Sequence, residues 1–172
     1  MTEEQFDDLF TREALRPFQP KPGSIGLTPM LEVHTPTSIV VYALALDGFN
    51  DWNMRQAYLQ GLGTTCAHEY PSVEAVRFGS EAWMRTFTEE ENAARGDRLV
   101  ETYDDKTEHI VVFGRQATGA LRIADARVYR RPTGKVERLG TWRVVRTEDA
   151  RMRSPLLEAF WRGYKQGKSQ QN

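Results

Sequence analysis

The chain has 172 residues, 40% hydrophobic and 27% charged, with a formal net charge of −1; this is an ordinary globular composition and enough chain for one domain with a substantial core. No apolar run reaches the roughly 20 residues a membrane-crossing helix needs. The acidic start, Met1-Thr2-Glu3-Glu4-Gln5, has no basic region ahead of an apolar one, so no secretory signal is expected. The single cysteine, Cys66, excludes an internal disulfide framework and points to a reducing, cytoplasmic setting.

The small net charge hides an asymmetry. Residues 1–110 hold 9 Lys and Arg against 19 Asp and Glu, a net −10, whereas residues 111–172 hold 14 against 5, a net +9. Such a split indicates either a nucleic-acid surface or acidic and basic halves that pair, within the fold or between copies of it. The absence of a long block of like charge favours pairing.

The chain reads as one domain, with a helix over residues 2–15, a linker over 16–28 and a main body over 29–168. Thr2 and Gln5 have the spacing of a capping box, and Phe6, Leu9, Phe10 and Ala14 make one apolar stripe. Pro17, Pro20, Pro22, Gly23 and Gly26 then interrupt regular structure, predicting a linker that lets this helix dock. A short strand is expected at Met30-Leu31-Glu32-Val33-His34.

The stretch from 37 to 84 predicts a strand, a helix and a second strand. Residues 38–46 form a continuous apolar run, the pattern of a strand covered on both faces. Asp47-Gly48-Phe49-Asn50-Asp51 is turn chemistry with a helix cap at Asn50 or Asp51. On the following helix, residues 52–69, Met54, Tyr58, Leu62 and Cys66 recur every four residues, and Gly61 and Gly63 are expected to permit close packing on the sheet. A second strand from Val73 to Met84 completes a crossover whose two strands are expected to run parallel, side by side. Thr88 and Glu91 form a second capping box, opening a short helix ended by Gly96. The remainder is mostly β: a strand at 110–113, then hairpin strands at 120–130 and 136–146 around Arg131-Pro132-Thr133-Gly134-Lys135. Ser154-Pro155 begins a last helix with Leu156, Leu157, Phe160, Trp161 and Tyr164 on its apolar face, and residues 165–172 are a polar tail expected to fray. The expected fold class is α+β: a mixed, mainly antiparallel sheet with one strand–helix–strand crossover and flanking N- and C-terminal helices.

No motif commits the chain to catalysis. Cys66-Ala67-His68 on a helix places its two ligand types on different faces, and no further Cys or close His pair completes a metal site. Cys66 sits on the apolar stripe, as an inert core thiol would. Asp104 and Lys106 would share one face of a strand, the alternation a metal-dependent nuclease uses, but a further carboxylate cannot be placed beside them. Gly61-Leu62-Gly63 lies inside a helix rather than after a strand, so it is no phosphate loop, and no cofactor is expected. Arg122, Arg127, Arg130, Arg131, Arg138 and Arg143 crowd the last hairpin with Tyr129 and Trp142 between them, a candidate nucleic-acid-binding face if several share one side.

Gly79-Ser80-Glu81-Ala82-Trp83-Met84 after an apolar strand, followed by an acidic stretch and Ile110-Val111-Val112-Phe113, resembles a loose group of small bacterial and phage proteins of unassigned activity. The likeness covers about residues 38–131 and implies the fold but no catalytic role. Three roles follow. The first is a non-catalytic interaction or assembly protein, a homodimer through complementary halves and aromatic terminal helices. The second is a nucleic-acid binder through the arginine-rich hairpin. The third is an enzyme with a pocket near Ser80–Met84 and Asp47–Asp51.

Overall fold

In the computed structural model, residues 1–45, 51–85, 87–94, 100–147 and 154–171 are described. The elements run α1 (Glu3–Asp8), β1 (Met30–His34), β2 (Ile39–Ala43), α2 (Trp52–Glu69), β3 (Ala75–Met84), α3 (Glu89–Ala94), β4 (Thr107–Gln116), β5 (Leu121–Arg130), β6 (Val136–Leu139), β7 (Arg143–Thr147) and α4 (Pro155–Ser169). The fold is α+β. Its one sheet has the strand order β2-β1-β3-β4-β5-β6, and β7 also pairs with β5, so that β6 and β7 occupy successive parts of one β5 edge. Every paired neighbour is antiparallel.

The strand–helix–strand crossover is present, but its two strands are not neighbours. β1 inserts between β2 and β3, pairing antiparallel with both, so β2 and β3 run in the same direction one strand apart. The run at 38–46 is correspondingly not a doubly covered strand. β2 is the sheet edge, with Ile39 59% and Val41 55% exposed on one side and Val40 and Tyr42 turned to the core on the other. The β-branched composition specified a strand; it did not specify the strand's position. The turn residues 46–50 lie outside the described residues.

Strand alternation gives the sheet two faces. On one, Leu31, Val33, Val76, Phe78 and Phe113 pack against α2 and α4. Those helices approach closely: a Cβ on Gly63 would stand 2.1 Å from the Phe160 carbonyl oxygen, and one on Gly163 would stand 1.8 Å from that of Gln60. Gly63 and Gly163 therefore serve helix–helix contact rather than contact with the sheet, while Gly61 faces open space. α4 continues to Ser169 because Gly167 lies against Ala67 and Thr64, and Gln171 Nε2 donates to the Ala67 carbonyl at 3.1 Å, so the expected fraying begins later than its polar sequence indicates.

The opposite face is covered by residues 1–27. The capping box forms as expected, with Thr2 Oγ1 accepting from the Gln5 amide and Gln5 Oε1 accepting from the Thr2 amide. The helix itself stops at Asp8, and the chain proceeds through turns to a 3₁₀ segment at Arg16–Phe18. The expected linker is not a tether, because Phe18 is fully buried and packs against Gly79, where a Cβ would stand 2.1 Å from the ring. A straight helix over 2–15 would lift Leu15 and Phe18 off the sheet, whereas the bent strap buries both together with Phe6 and Phe10.

Candidate functional site

β3 outruns β1. Pairing between them ends at Met30 opposite Gly79, while β3 continues to Met84 and keeps its partner β4 to Thr107. Residues 80–84 thus form an overhang about 13 Å long, at the usual rise per strand residue. On the helix-side face, Ser80, Ala82 and Met84 are paired with Val111, His109 and Thr107. Farther out lie Asp125, Arg127 and Tyr129 of β5, Arg138 of β6 and Arg143 of β7. None of these residues belongs to the core that α2 and α4 cover.

Two concavities share this overhang. The first is a cleft of about 630 Å³. Phe78, Ser80, Ala82 and Phe113 floor it, and the first turns of α2 (Trp52, Arg55) and α4 (Pro155, Leu156) wall it. Its mouth carries Ile25, Trp52 and Trp83, all exposed. It follows from the helix positions: Asp51 caps α2 by accepting from the Asn53 amide at 2.8 Å, and Ser154 caps α4, so both helices begin at the cleft edge. Its volume falls within the range of small-molecule sites, and its lining mixes apolar surface with a few polar groups as such sites do.

The second concavity, about 340 Å³, is polar. Its lining includes Thr107, His109, Asp125, Arg127, Thr141 and Arg143. Asp125, almost fully buried, accepts from His109 Nδ1 at 2.9 Å and from Arg143 Nε at 3.0 Å. The other ring nitrogen of His109, Nε2, lies 3.0 Å from the Thr107 hydroxyl, which itself donates to the Met84 carbonyl at 3.3 Å. Tyr129 carries two guanidiniums over its ring, Arg138 at 3.7 Å and Arg127 at 5.2 Å from the centroid.

The six arginines singled out by sequence divide by face. Arg122 is buried under the strap, with Nε donating to Asp7 at 2.6 Å and Nη2 to Glu3 at 2.7 Å. Arg130 pairs with Glu108 and lies 3.3 Å from Glu81. These two tie the basic half of the chain to the acidic half, so the charge asymmetry is spent at least partly within the fold. Arg131 is exposed in the β5–β6 turn. Arg127, Arg138 and Arg143 share the open face with Tyr129. Among the described residues, Arg127 and Arg138 make no ion pair with an acid.

Glu81, at the cleft rim, fastens the strap: its Oε1 accepts from the Leu27 amide at 2.8 Å. Burial and the neighbouring Glu108 charge push its carboxyl above the ordinary range, against the opposing pull of that amide and of Arg130. Of the sequence candidate Asp47–Asp51, residues 47–50 lie outside the described residues and Asp51 is a helix cap. Asp104 and Asp105 sit in a turn ahead of β4 rather than on a strand, Asp105 pairs with Arg85, and Lys106 lies over Trp83, so the acid-x-Lys alternation of a nuclease is not formed. Cys66 is a buried core thiol 3.6 Å from the Tyr42 hydroxyl, and burial raises its pKa. The His109–Asp125 pair went unread in the sequence. The two residues are 16 apart, and only the β4–β5 register brings them together.

The fold and this overhang define a small α+β domain with an exposed two-part concavity beside an arginine-bearing sheet face. Comparison of the chain with protein-family models, with curated proteins and with solved structures finds no match. Among the described residues, no helix is long and apolar enough to cross a membrane.

Proposed function

We propose that this chain is a non-catalytic binding protein that takes a small organic ligand in the cleft at the end of β3. The observation that supports this is the cleft itself: about 630 Å³, floored by Phe78, Ala82 and Phe113, with Trp52 and Trp83 exposed at its mouth. Two half-exposed indoles beside an apolar floor are costly surface in water and useful surface against a flat apolar molecule. The Ser80–Met84 stretch that carries the resemblance to small bacterial and phage proteins borders this cleft. The lone, buried Cys66 supports a reducing compartment, and we place the protein in the cytoplasm.

The test is titration with N-phenyl-1-naphthylamine, a neutral aromatic probe that brightens when desolvated. Saturable binding to the wild type, lost in Ala82→Trp, is the expected result. An Ala82→Trp variant that is folded and binds the probe as the wild type does would overturn the reading.

A second reading, homodimerisation, is supported by a different feature. β2 is an outer strand without a charged residue or a proline, and strand edges left so are usually paired. Two copies meeting about a two-fold axis at Val41 would continue the sheet antiparallel and cover Ile39 and Val41. The other grounds for a dimer are weaker now, because Phe6, Phe10, Phe160 and Trp161 are buried within the chain and Arg122 and Arg130 have internal partners. Light scattering at micromolar concentration is expected to give twice the chain mass, falling to the chain mass for Val41→Lys; a monomeric wild type removes this reading.

A further inference from the structure

The aromatic cleft and the polar pocket are adjacent parts of one surface. Ala82, on the cleft floor, is the cross-strand partner of His109, in the pocket, and Ser80, Ala82 and Met84 run along β3 from one into the other. Resting on the cleft reading above, we propose that the ligand is amphipathic: a flat apolar body lies on the Phe78–Ala82 floor, and an anionic head, a phosphate, sulfonate or carboxylate group, is bound by Arg127 in the pocket beside it, next to Arg138 on the same Tyr129 ring.

Charge supports the head-group assignment. Among the described residues lining the pocket, Asp125 is the one carboxylate, and it is occupied: His109 and Arg143 both donate to it, at 2.9 and 3.0 Å. Its charge is therefore offset before any ligand arrives. Arg127 and Arg138 are not offset, since neither pairs with an acid among the described residues, and both are ordered over the Tyr129 ring. A guanidinium stacked on an aromatic ring keeps its in-plane N–H donors free for an oxyanion. The Thr141 hydroxyl lines the same pocket as a further donor.

Shape favours a small ligand over a polymer. Arg122 and Arg130, which would extend the basic surface, are committed to Glu3, Asp7 and Glu108 instead. What is left is a pocket of about 340 Å³ rather than a track along the hairpin. From Ser80 to Met84 the floor is about 13 Å long at the usual strand rise. This matches a two- or three-ring body with one charged substituent.

The experiment uses a matched pair of probes on the full chain, 1-anilinonaphthalene-8-sulfonate and its neutral counterpart N-phenyl-1-naphthylamine. The sulfonate is expected to bind the wild type about tenfold or more tightly than the neutral probe, the scale of one charge-assisted hydrogen bond. Arg127→Ala should remove that advantage and Arg127→Glu should reverse it, while both leave the neutral probe within about twofold. Arg127 is exposed and makes no ion pair among the described residues, so both variants should keep the wild-type circular dichroism and melting temperature. Ala82→Trp should abolish both probes. Binding of the neutral probe with no preference for the sulfonate, unchanged in Arg127→Glu, overturns the anionic head and leaves the cleft standing. Failure of both probes to bind, or indifference of both to Ala82→Trp, overturns the cleft and this inference with it. A deoxythymidine oligonucleotide that displaces the sulfonate, with affinity falling steeply with salt and lost in Arg127→Glu, would replace the small-ligand assignment with single-stranded nucleic acid.

Discussion

The two faces of the sheet are covered in opposite ways. Under α2 and α4 the sheet offers mainly apolar side chains, with Arg115 reaching Glu158 of α4 at 3.8 Å, and the helices lock together through glycine-to-backbone contact. Under the strap it offers charge. Arg77 donates to the Leu9 and Ala14 carbonyls and pairs with buried Glu32, Arg122 pairs with Glu3 and Asp7, and Gln116 donates to the Met1 carbonyl. The difference follows from backbone accounting. An 18-residue and a 15-residue helix satisfy most of their own N–H and C=O groups, so their backbones need little polar help from the sheet. A strap whose helix is six residues long leaves carbonyls without partners, and the sheet beneath it must donate to them.

The largest expected effect tests the charged face. Arg77→Met would leave the Glu32 carboxylate buried beside His34 alone, and removing one partner of a buried pair costs about 3–5 kcal/mol. Denaturant titration at neutral pH should show that loss, and Glu32→Leu with Arg77→Met should recover most of it. Acid separates the two proteins further. Burial alone would raise the Glu32 carboxyl, but His34, with Nε2 3.4 Å away, and the charge and hydrogen bonding of Arg77 hold it below its ordinary 4.5. Its stabilising contribution is therefore complete above pH 4.5 and is lost as pH falls through the lower folded value. In Arg77→Met the sign reverses, since protonation relieves an unpaired buried charge, so the gap between variant and wild type should narrow on acidification. A gap that widens would mean the strap is not organised by this pair.

The apolar face is tested by a matched pair of glycines. Gly163→Ala drives a methyl onto the Gln60 carbonyl, and overpacking of this kind costs about 1–3 kcal/mol. Gly61→Ala, on the same helix pair but with nothing within 4 Å, should instead gain up to about 1 kcal/mol in helix propensity. Melting curves of the two variants should move in opposite directions. Movement in the same direction would show that α2 and α4 are not locked where the glycines place them.

These features were unequally legible in the sequence. The bounds of α2, residues 52–69, match the expected helix, but the stripe read for it does not, since Met54 and Tyr58 are exposed and Leu59, Gly63, Cys66 and Ala67 form the buried face; Thr2 with Gln5 and Thr88 with Glu91 announced their own capping boxes. Strand order is not local. Nothing in residues 38–46 says that β1 takes the place beside β3, since an uncharged β-branched run is equally compatible with a central strand and an unprotected edge. The arginine cluster was visible as composition, but its division between Arg122 and Arg130 under the strap or rim and Arg127, Arg138 and Arg143 on the open face depends on which acids fold back to meet them. The cleft was half legible: Ser80–Met84 sits at a strand end, where sites commonly form, yet the overhang that exposes it exists only because β1 stops at Met30 opposite Gly79.

The smallest expected effect compares the helix starts on the two faces. Thr2→Ala removes the Oγ1 acceptor for the Gln5 amide, a change worth about 1 kcal/mol at a helix N-cap. Ser154→Ala on α4 should cost less, because its hydroxyl lies 3.5 Å from the Leu157 amide and Pro155 already presets the first turn. The locations of the losses should differ as well. α1 is six residues long and cannot hold a helix by its own backbone bonds, so Thr2→Ala should speed amide exchange through the strap while leaving α2 and α4 protected. Buried Leu157, Phe160 and Tyr164 secure α4 along its length, so Ser154→Ala should loosen only its first turn. If Thr2→Ala also loosened α2 and α4, the two faces would unfold as one cooperative unit, and the strap would be a structural partner of the helices rather than a separately fastened cover.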